Sequence, residues 1–386
     1  MMHLPPLYPI TDATQELSLS RQIARFAAKG FPLIQFRGKP LSVNDQWREL
    51  RMALAESSQD GGWPLIAVND RADLAILAAS EGTAPWGLHL GQSDLPAMEA
   101  VKLPGLGELH FGASTHNPVE WVSVDSVCDH AGVGPVRATQ TKKDHVETIG
   151  FDGLSCGCAV LRQKNIAPIA IGGLNIDDAL ACFRAGAESL AMSYSLSPAA
   201  IERGGGNLTE YLWQAQKLKI SVVPFFKSDR GLVIVGGSGA GKTALAECLA
   251  QRTGMRALDL DHRISQHTGK SIPEIFGDGE EAFRKLESEC LPECLEEPSI
   301  LALGGGAWQQ EAIRNCVQKA GWSVVWLAEN PSVAWERAKD DPNRPLAKDR
   351  TSFMEKWRSR MPLWSSLPAI LPLGRSPAEL AELLAP

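Results

Sequence analysis

No stretch of this 386-residue sequence stays apolar for long enough to span a bilayer. Met1–Pro9 lacks the basic-then-apolar order of a secretory signal. Positive charge is not in excess either: 38 Lys and Arg stand against 45 Asp and Glu, a formal net charge of -7. That balance argues against nucleic acid or an anionic membrane as partner, because both require a broad basic face. The eight cysteines include two close pairs, Cys156/Cys158 and Cys290/Cys294, but no second Cys or His pair at zinc-like spacing. They read as reduced thiols in or near cores. The expectation is a soluble, cytoplasmic protein acting on small molecules.

What the sequence does have is ample core material, with 44% hydrophobic and 22% charged residues. Its length suits a barrel plus one smaller domain. In the first half, β-rich runs alternate with helical stretches: 7–11, 32–37, 65–70, 87–91, 110–114, 131–136, 166–172 and 189–196. Each run ends in a polar or glycine-bearing loop. Eight strand–helix units fit a (β/α)8 TIM barrel, with its working face on the loops after the strands. A doubly wound open sheet is the alternative, and the count of eight favours the barrel. Arg203–Asn207 forms a break, and 208–219 reads as a closing helix. The expected organisation is a barrel over 1–220, a linker over 221–230 and a parallel α/β domain of P-loop type over 231–386.

The second domain opens on an apolar strand, 231–235, that runs into Gly236-Gly237-Ser238-Gly239-Ala240-Gly241-Lys242-Thr243 and then a helical pattern, 244–252. Glycines at these positions let backbone N–H groups turn inward around a phosphate, and the helix N-terminus adds partial positive charge. Gly239, Ala240, Gly241, Lys242, Thr243 and Ala244 are the expected ATP-binding set. Lys242 neutralises the phosphates and the Thr243 hydroxyl ligates Mg²⁺. The motif says nucleotide; it does not name the acceptor.

Four further features bear on the acceptor. Asp259-Leu260-Asp261 ends an apolar stretch, where strand alternation would point both carboxylates the same way. One can serve Mg²⁺ and the other can take a hydroxyl proton. Arg284 and Glu287 lie three apart on a helical pattern, an arrangement that aims a guanidinium at a substrate carboxylate. Gly304-Gly305-Gly306 follows the strand 300–303 and permits close backbone approach. Arg344 and Arg360, each near a proline, add cations to a region able to close over the site. Singly, each has a bland alternative: a solvated turn, a surface ion pair, a loop. Together, and in this order behind a phosphate loop, they resemble shikimate kinases from Leu232 to Pro372. The resemblance implies that Asp261, Arg284, Gly304–Gly306 and Arg360 contact shikimate, that Asp259 assists the metal, and that Arg344 reaches the ATP phosphates. The implied catalytic set is Lys242, Asp259, Asp261 and Arg344. Trp364 departs from the family, which usually has tyrosine there, and little effect is expected.

The barrel half carries polar groups at one strand end after another: Gln35, Arg37 and Lys39; Asn69 and Asp70; His89 and Asp94; Ser114 and His116; Thr139, Gln140, Thr141 and Lys142; Gly172 and Gly173. Two carboxylates with oxygen-rich neighbours suit Mg²⁺, cations around it suit a diphosphate, and a glycine turn suits a second phosphate. Departure of diphosphate from a developing cation needs charge stabilisation and no nucleophile–base pair. His89 and His116 read as local hydrogen-bonding groups.

These motifs resemble thiamine-phosphate synthases over Leu7–Leu196. The resemblance implies that Gln35, Arg37, Lys39, Asn69, Ser114 and Lys142 bind hydroxymethylpyrimidine diphosphate. Asp70 and Asp94 would hold Mg²⁺, and Thr139, Gln140, Thr141 and Gly173 the thiazole phosphate. Two departures stand out. Ser193-Tyr194-Ser195 replaces a small apolar residue followed by serine, so that either Tyr194 crowds the thiazole-phosphate pocket or the register shifts by one residue. The stretch 119–129 lacks an alanine-rich helix.

The expected protein is a bifunctional transferase with Mg²⁺ at each site and ATP as co-substrate; homo-oligomerisation is compatible with it. One alternative keeps the kinase and makes the barrel a non-catalytic phosphate-ligand domain or a thiazole tautomerase-like one. Retention of the diphosphate and metal set argues against that. Another makes the second half a gluconate-type kinase, against which the Asp-x-Asp, Arg284 and triple-glycine set argues.

Overall fold

The computed structural model describes residues 1–138, 147–203, 206–223, 230–341, 344, 347 and 349–385. The chain divides into two compact units, one of Met1–Ser58 with Trp63–Val222 and one of Gln59–Gly62 with Val223–Pro386. No helix among the described residues is long and apolar enough to cross a membrane. All eight cysteines are free thiols, five of them buried.

The first unit is built on eight strands: β1 (Leu7–Pro9), β2 (Leu33–Phe36), β3 (Leu65–Asn69), β4 (Gly87–Leu90), β5 (His110–Thr115), β6 (Cys128–Val133), β7 (Ala167–Ile171) and β8 (Ser189–Met192). Every neighbouring pair is parallel, in the order β1-β8-β7-β6-β5-β4-β3-β2. A bridge from Ile10 to Gln35, with Thr11 N–H donating to the Gln35 carbonyl at 3.0 Å, brings β1 to β2 and closes the ring. Its apolar filling includes Tyr8, Ile10, Leu33, Ala67, Ile169 and Ala191. Buried on both sides, the strands read as near-continuous apolar runs, which is why they are visible in the sequence.

The sixth strand differs from expectation: it spans Cys128–Val133 and not 131–136. Polar Asp129 and His130 disguise its start, and its register against β5 shifts between Phe111 and Gly112. Pro135 has no N–H to extend the ladder, and Val136 N–H turns to the Ile171 carbonyl at 2.9 Å. The stretch before it does contain a helix, Pro118–Ser123, capped by Asn117. That helix is short and buries only Trp121.

The closing helix runs from Leu208 to Val222, three residues beyond its expected end at Lys219. It carries Lys219 into a buried position, where Nζ donates to Glu188 Oε1 at 2.8 Å and to the Leu4 carbonyl at 2.7 Å. Burial works against both charges. At Glu188 the pull of Lys219 and His3 overcomes it and holds the carboxyl down at about 2. At Lys219 burial outweighs the attraction, and the ammonium stays below its usual range.

The second unit has a five-stranded sheet: β9 (Leu232–Val235), β10 (Arg256–Asp259), β11 (Ser299–Ala302), β12 (Ser323–Leu327) and β13 (Ala369–Ile370). The order is β10-β11-β9-β12-β13, and all pairs are parallel. The glycine loop after β9, the Asp259–Asp261 segment and the triple glycine after β11 therefore emerge on one edge. The Asp-x-Asp pair does not lie along one strand. β10 ends at Asp259, which caps the helix Leu260–Thr268, so Asp261 sits in that helix's first turn. An aspartate offers a better cap than it does a strand residue, and the helix takes over.

Replacing Glu188 by Gln would leave the Lys219 ammonium buried beside Arg162 without its counter-charge. The barrel unit of Glu188→Gln is expected to lose about 3 kcal/mol, read as a lowered calorimetric transition at pH 7. Because the folded-state pKa of Glu188 is depressed, its stabilisation is present above the unfolded carboxylate range and lost as pH falls toward about 2. The gap between wild type and variant should narrow over that window.

Candidate active sites

In the second unit the glycine loop follows β9 without a break. Gly239 and Gly241 have φ of 82° and 96°, the left-handed region that side chains disfavour. A Cβ at Gly239 would also lie 2.1 Å from the Ala334 carbonyl oxygen. A Cβ at Gly237 would strike the Trp357 ring at 1.9 Å. Lys242 opens the helix Lys242–Thr253 and is buried, its Nζ donating to the Gly237 carbonyl at 2.8 Å. Burial and the nearby Arg344 lower its pKa to about 8, against the pull of Asp261 and Asp259. Arg344 Nη1 donates to Ser238 Oγ at 2.7 Å and its Nε to Asp341 at 2.7 Å, which places its guanidinium against the glycine loop. Pro345 and Leu346 lie outside the described residues.

Asp259 uses both carboxylate oxygens. Oδ1 accepts from the backbone N–H of Asp261 at 2.9 Å, and Oδ2 accepts the Thr243 hydroxyl at 2.6 Å. The expected nucleotide and acceptor motifs are thereby joined. Asp261 Oδ1 is buried with no hydrogen-bond partner among the described residues. Burial, and then the charge of Asp259, push the Asp261 carboxyl up to about 6.

The triple glycine is where the remaining charges meet. A Cβ on Gly304 would sit 2.6 Å from Asp261 Oδ1 and 2.9 Å from Glu287 Oε1. On Gly305 it would lie 3.2 Å from the Ser238 nitrogen and 3.4 Å from Arg360 Nη1, and on Gly306 2.3 Å from Arg284 Nη2. None of the three has a positive φ, so glycine is favoured here by the crowding of charged groups and not by backbone strain. The helix Glu280–Cys294 carries Arg284, whose Nη1 donates to Glu287 Oε2 at 2.7 Å and whose Nη2 donates to Glu280 at 2.7 Å. Glu287 is 0% exposed, so this pair is no helix-surface ion pair. Burial raises Glu287 to about 7, and burial beside Arg284 lowers Arg360 to about 10.

Trp364 lies in an aromatic cluster behind this loop, stacked on Trp326 (centroids 6.5 Å) and edge-on to Trp357 (5.4 Å). Trp357 packs on Gly237, so the cluster backs the phosphate loop. The sequence shows no periodic tryptophan stripe, and tertiary packing alone assembles this group.

In the barrel, a cavity of about 970 Å³ opens at the carboxyl ends of the strands. Gln35, Arg37, Asn69, Ser114 and Gly173 line it, as do Tyr194 and Tyr211. Lys39, Asp70 and Asp94 form one cluster beside Asn69. Lys39 Nζ lies 2.5 Å from Asp70 Oδ2, and Asp94 stands close enough to Asp70 for the two carboxyls to influence each other. Asp70 has φ 62°, a left-handed backbone that an aspartate tolerates better than most residues. Gly91 N–H donates to Asp94 Oδ2 at 2.7 Å. Burial raises Asp70, but hydrogen bonds from Lys39 and Asp94 bring it below its usual range, while burial and Asp70 push Asp94 up. The Gly172-Gly173 turn has φ of 99° and 64°. Thr139, Gln140, Thr141 and Lys142 lie outside the described residues.

His89 Nε2 is 3.0 Å from Ser114 Oγ, and His116 Nδ1 is 2.9 Å from Glu120, the local hydrogen bonds expected of them. His130 is a residue that the sequence did not flag. Its ring is 1% exposed, stacks on His89 (5.6 Å) and Trp86 (5.9 Å), and meets Tyr8 edge-on (6.3 Å). Neither ring nitrogen has a partner among the described residues. Burial, then His89 and His110, hold it far below the ordinary histidine range, and it is neutral. Ser238 and Gln310, which join Arg344 and Glu287, were also not singled out. Only the fold brings such pairs together.

The fold and the glycine loop define a P-loop phosphotransferase unit joined to a barrel whose open cavity is lined by phosphate-compatible groups. A shikimate kinase family model matches residues 238–376, and a thiamine monophosphate synthase model matches residues 7–196. The shikimate kinase of Thermobifida fusca is 41% identical over 160 residues, covering 40% of this chain and 91% of that protein. That of Ruegeria pomeroyi is 42% identical over 139 residues, covering 35% and 71%. The thiamine-phosphate synthase of Chloroflexus aurantiacus is 36% identical over 189 residues, covering 48% and 82%. The chain belongs to the thiamine-phosphate synthase family through its first half and to the shikimate kinase family through its second.

Asp261 owes its high pKa first to burial and second to Asp259. In Asp259→Asn the like charge is gone and burial remains, so the Asp261 carboxyl carbon should titrate well below about 6 in a ¹³C NMR pH series. An unmoved midpoint would mean that burial alone sets it.

Proposed function

We propose that this chain is a bifunctional transferase: it phosphorylates shikimate to shikimate 3-phosphate with ATP, and it joins hydroxymethylpyrimidine diphosphate to thiazole phosphate, releasing diphosphate. The observation that carries the kinase reading is the meeting of Asp261, Glu287, Arg284, Arg360 and the phosphate loop on Gly304–Gly306. A hydroxy acid entering there finds two guanidiniums for its carboxylate and one carboxylate for its hydroxyl proton. A point-charge cation could neutralise such a ligand, but a guanidinium braced by Glu287 also fixes its direction.

In this reading the ring hydroxyl attacks the γ-phosphorus in line, the bond to the β-phosphate oxygen breaks, and ADP leaves. Asp261 takes the hydroxyl proton; a carboxyl near 6 is ionised at neutral pH yet basic enough to accept it. Lys242 and Arg344 bear on the phosphates, and Gly239, Ala240, Gly241, Thr243 and Ala244 cradle them. The ATP use that shikimate kinase membership implies fits this loop.

In the barrel, Gln35, Arg37, Lys39, Asn69 and Ser114 hold the pyrimidine diphosphate with Lys142. Gly173 holds the thiazole phosphate together with Thr139, Gln140 and Thr141. The carbon–oxygen bond to diphosphate breaks, and the thiazole nitrogen bonds to the freed methylene. No proton need move, which agrees with a rim of charges rather than a base–nucleophile pair. Tyr194 forms part of the wall of the acceptor end.

Both sites fit Mg²⁺. Asp70 and Asp94 offer hard oxygen donors beside a hollow, where a Cβ on Gly91 would come within 3.0 Å of Asp94 Oδ2 and 3.9 Å of Asp70 Oδ1. Thr243 and Asp259 pair oxygens in the kinase unit. In this reading substrate phosphates complete the Mg²⁺ shell at both sites. Bound Mg²⁺ would neutralise phosphate charge at each site. The domain limits 1–220, 221–230 and 231–386, and a cytoplasmic location, complete the proposal.

Two substitutions separate the halves. Lys242→Ala should lower shikimate-dependent ADP formation by roughly a hundredfold or more while thiamine phosphate formation is unchanged. Asp70→Ala should do the reverse. Thiamine phosphate yield that survives Asp70→Ala at the wild-type Mg²⁺ dependence would refute the metal assignment. ADP formation that survives Lys242→Ala would refute the phosphate-loop assignment. For the wild type, kcat/KM for shikimate should fall as pH drops through about 6, where Asp261 gains its proton.

A further inference from the structure

Gln310 sits between the turn that follows the triple glycine and the helix Glu311–Ala320. Its backbone is held from both sides: its N–H donates to the Ala307 carbonyl at 3.0 Å, and its carbonyl accepts from Arg314 N–H at 3.2 Å. Arg314 Nη1 fixes the turn itself through the carbonyls of Trp308 (2.8 Å) and Gln309 (2.7 Å). From this anchored position the side chain reaches the helix Glu280–Cys294. The Ser288 hydroxyl donates to Gln310 Oε1 at 3.0 Å, and Gln310 Nε2 donates to Glu287 Oε2 at 2.7 Å. Since an ionised carboxylate only accepts, the amide turns its NH2 toward Glu287 and its oxygen toward the Ser288 hydroxyl.

Glu287 Oε2 thus accepts from both Gln310 and Arg284, while Oε1 faces Gly304 without a partner among the described residues. An unrestrained carboxylate beside a guanidinium would rotate to present both oxygens in a forked pair. Such a rotation would turn the Arg284 fork toward Glu287 and away from the hollow at Gly306. We infer that Gln310 is a positioning residue that holds the Glu287 carboxylate in its single-oxygen contact and so keeps Arg284 aimed at the carboxylate of the acceptor. This rests on the reading of Arg284 as that carboxylate's partner. Gln310 touches neither ATP nor the phosphate loop in this scheme, and its effect is confined to one substrate.

The test compares steady-state kinetics of the full chain in wild type, Gln310→Leu, Gln310→Glu, Arg284→Ala and the Gln310→Leu/Arg284→Ala pair. Leu fills the same space without donating, and Glu keeps the shape while replacing the donor with an oxygen. Both single variants at Gln310 should raise KM for shikimate about tenfold, one charged hydrogen bond's worth, with kcat and KM for ATP within about twofold. In the Arg284→Ala background, Gln310→Leu should add nothing, because its effect passes through the missing guanidinium. An unchanged KM for shikimate at Gln310, in a series where Arg284→Ala raises it, overturns the inference alone. So does an equal rise in KM for ATP, or a Gln310→Leu effect that persists undiminished without Arg284. If Arg284→Ala leaves KM for shikimate unmoved, the reading of Arg284 itself fails.

Discussion

Charge that is taken out of water must be met by charge, and the space around Gly304–Gly306 is organised by that requirement. Asp261 and Glu287 bring two carboxylates to the same hollow, and Arg284 and Arg360 bring two guanidiniums. An unpaired charge at such depth costs several kcal/mol. The carboxylates respond by rising toward neutrality, and Arg360 falls below its usual range. The site is therefore poised: an anionic group placed between the guanidiniums relieves their mutual repulsion, and a proton is readily accepted by Asp261. Three residues without side chains make the arrangement physically admissible, since a single Cβ at any of them would meet a charged or backbone atom. The phosphate loop is tied to the same point through Thr243 and Asp259.

The barrel solves a related problem with a different geometry. Its charges stand at the rim, where Lys39 faces an aspartate pair that Gly91 allows to approach. The interior beneath holds stacked rings, His89 over His130 over Trp86. Burial holds the His130 ring below the ordinary histidine range, so it contributes stacking area more readily than charge. The ion pair of Glu188 with Lys219 provides the same balance elsewhere in the unit, binding the closing helix to the N-terminal segment through the Leu4 carbonyl.

Much of this was legible in the sequence, for identifiable reasons. Strands buried on both faces appear as apolar runs, and seven of the eight barrel strands lie where those runs suggest. The sixth was displaced because Asp129 and His130 are polar residues inside a strand, and composition assigns such residues to loops. The phosphate loop is legible because its glycines answer to backbone geometry that no other residue meets. The Asp-x-Asp pair was found for the wrong local reason: a strand period was assumed where Asp259 caps a helix. The Gln310–Glu287 and Arg344–Ser238 contacts were invisible, since each joins residues with no shared periodicity. Tyr194, a departure visible in the sequence, lines the barrel cavity. The Thr139–Lys142 group falls outside the described residues.

The kinase reading depends most on the guanidinium pair of Arg284 and Arg360 as the seat of a carboxylate. The most direct measurement is calorimetric titration of the intact chain with shikimate and with shikimate methyl ester, which keeps every hydroxyl and loses only the negative charge. The ester is expected to bind at least about thirtyfold more weakly, the loss of a charged, forked hydrogen-bond pair. The deficit should vanish in Arg284→Ala/Arg360→Ala. Equal affinity for acid and ester in the wild type would contradict it.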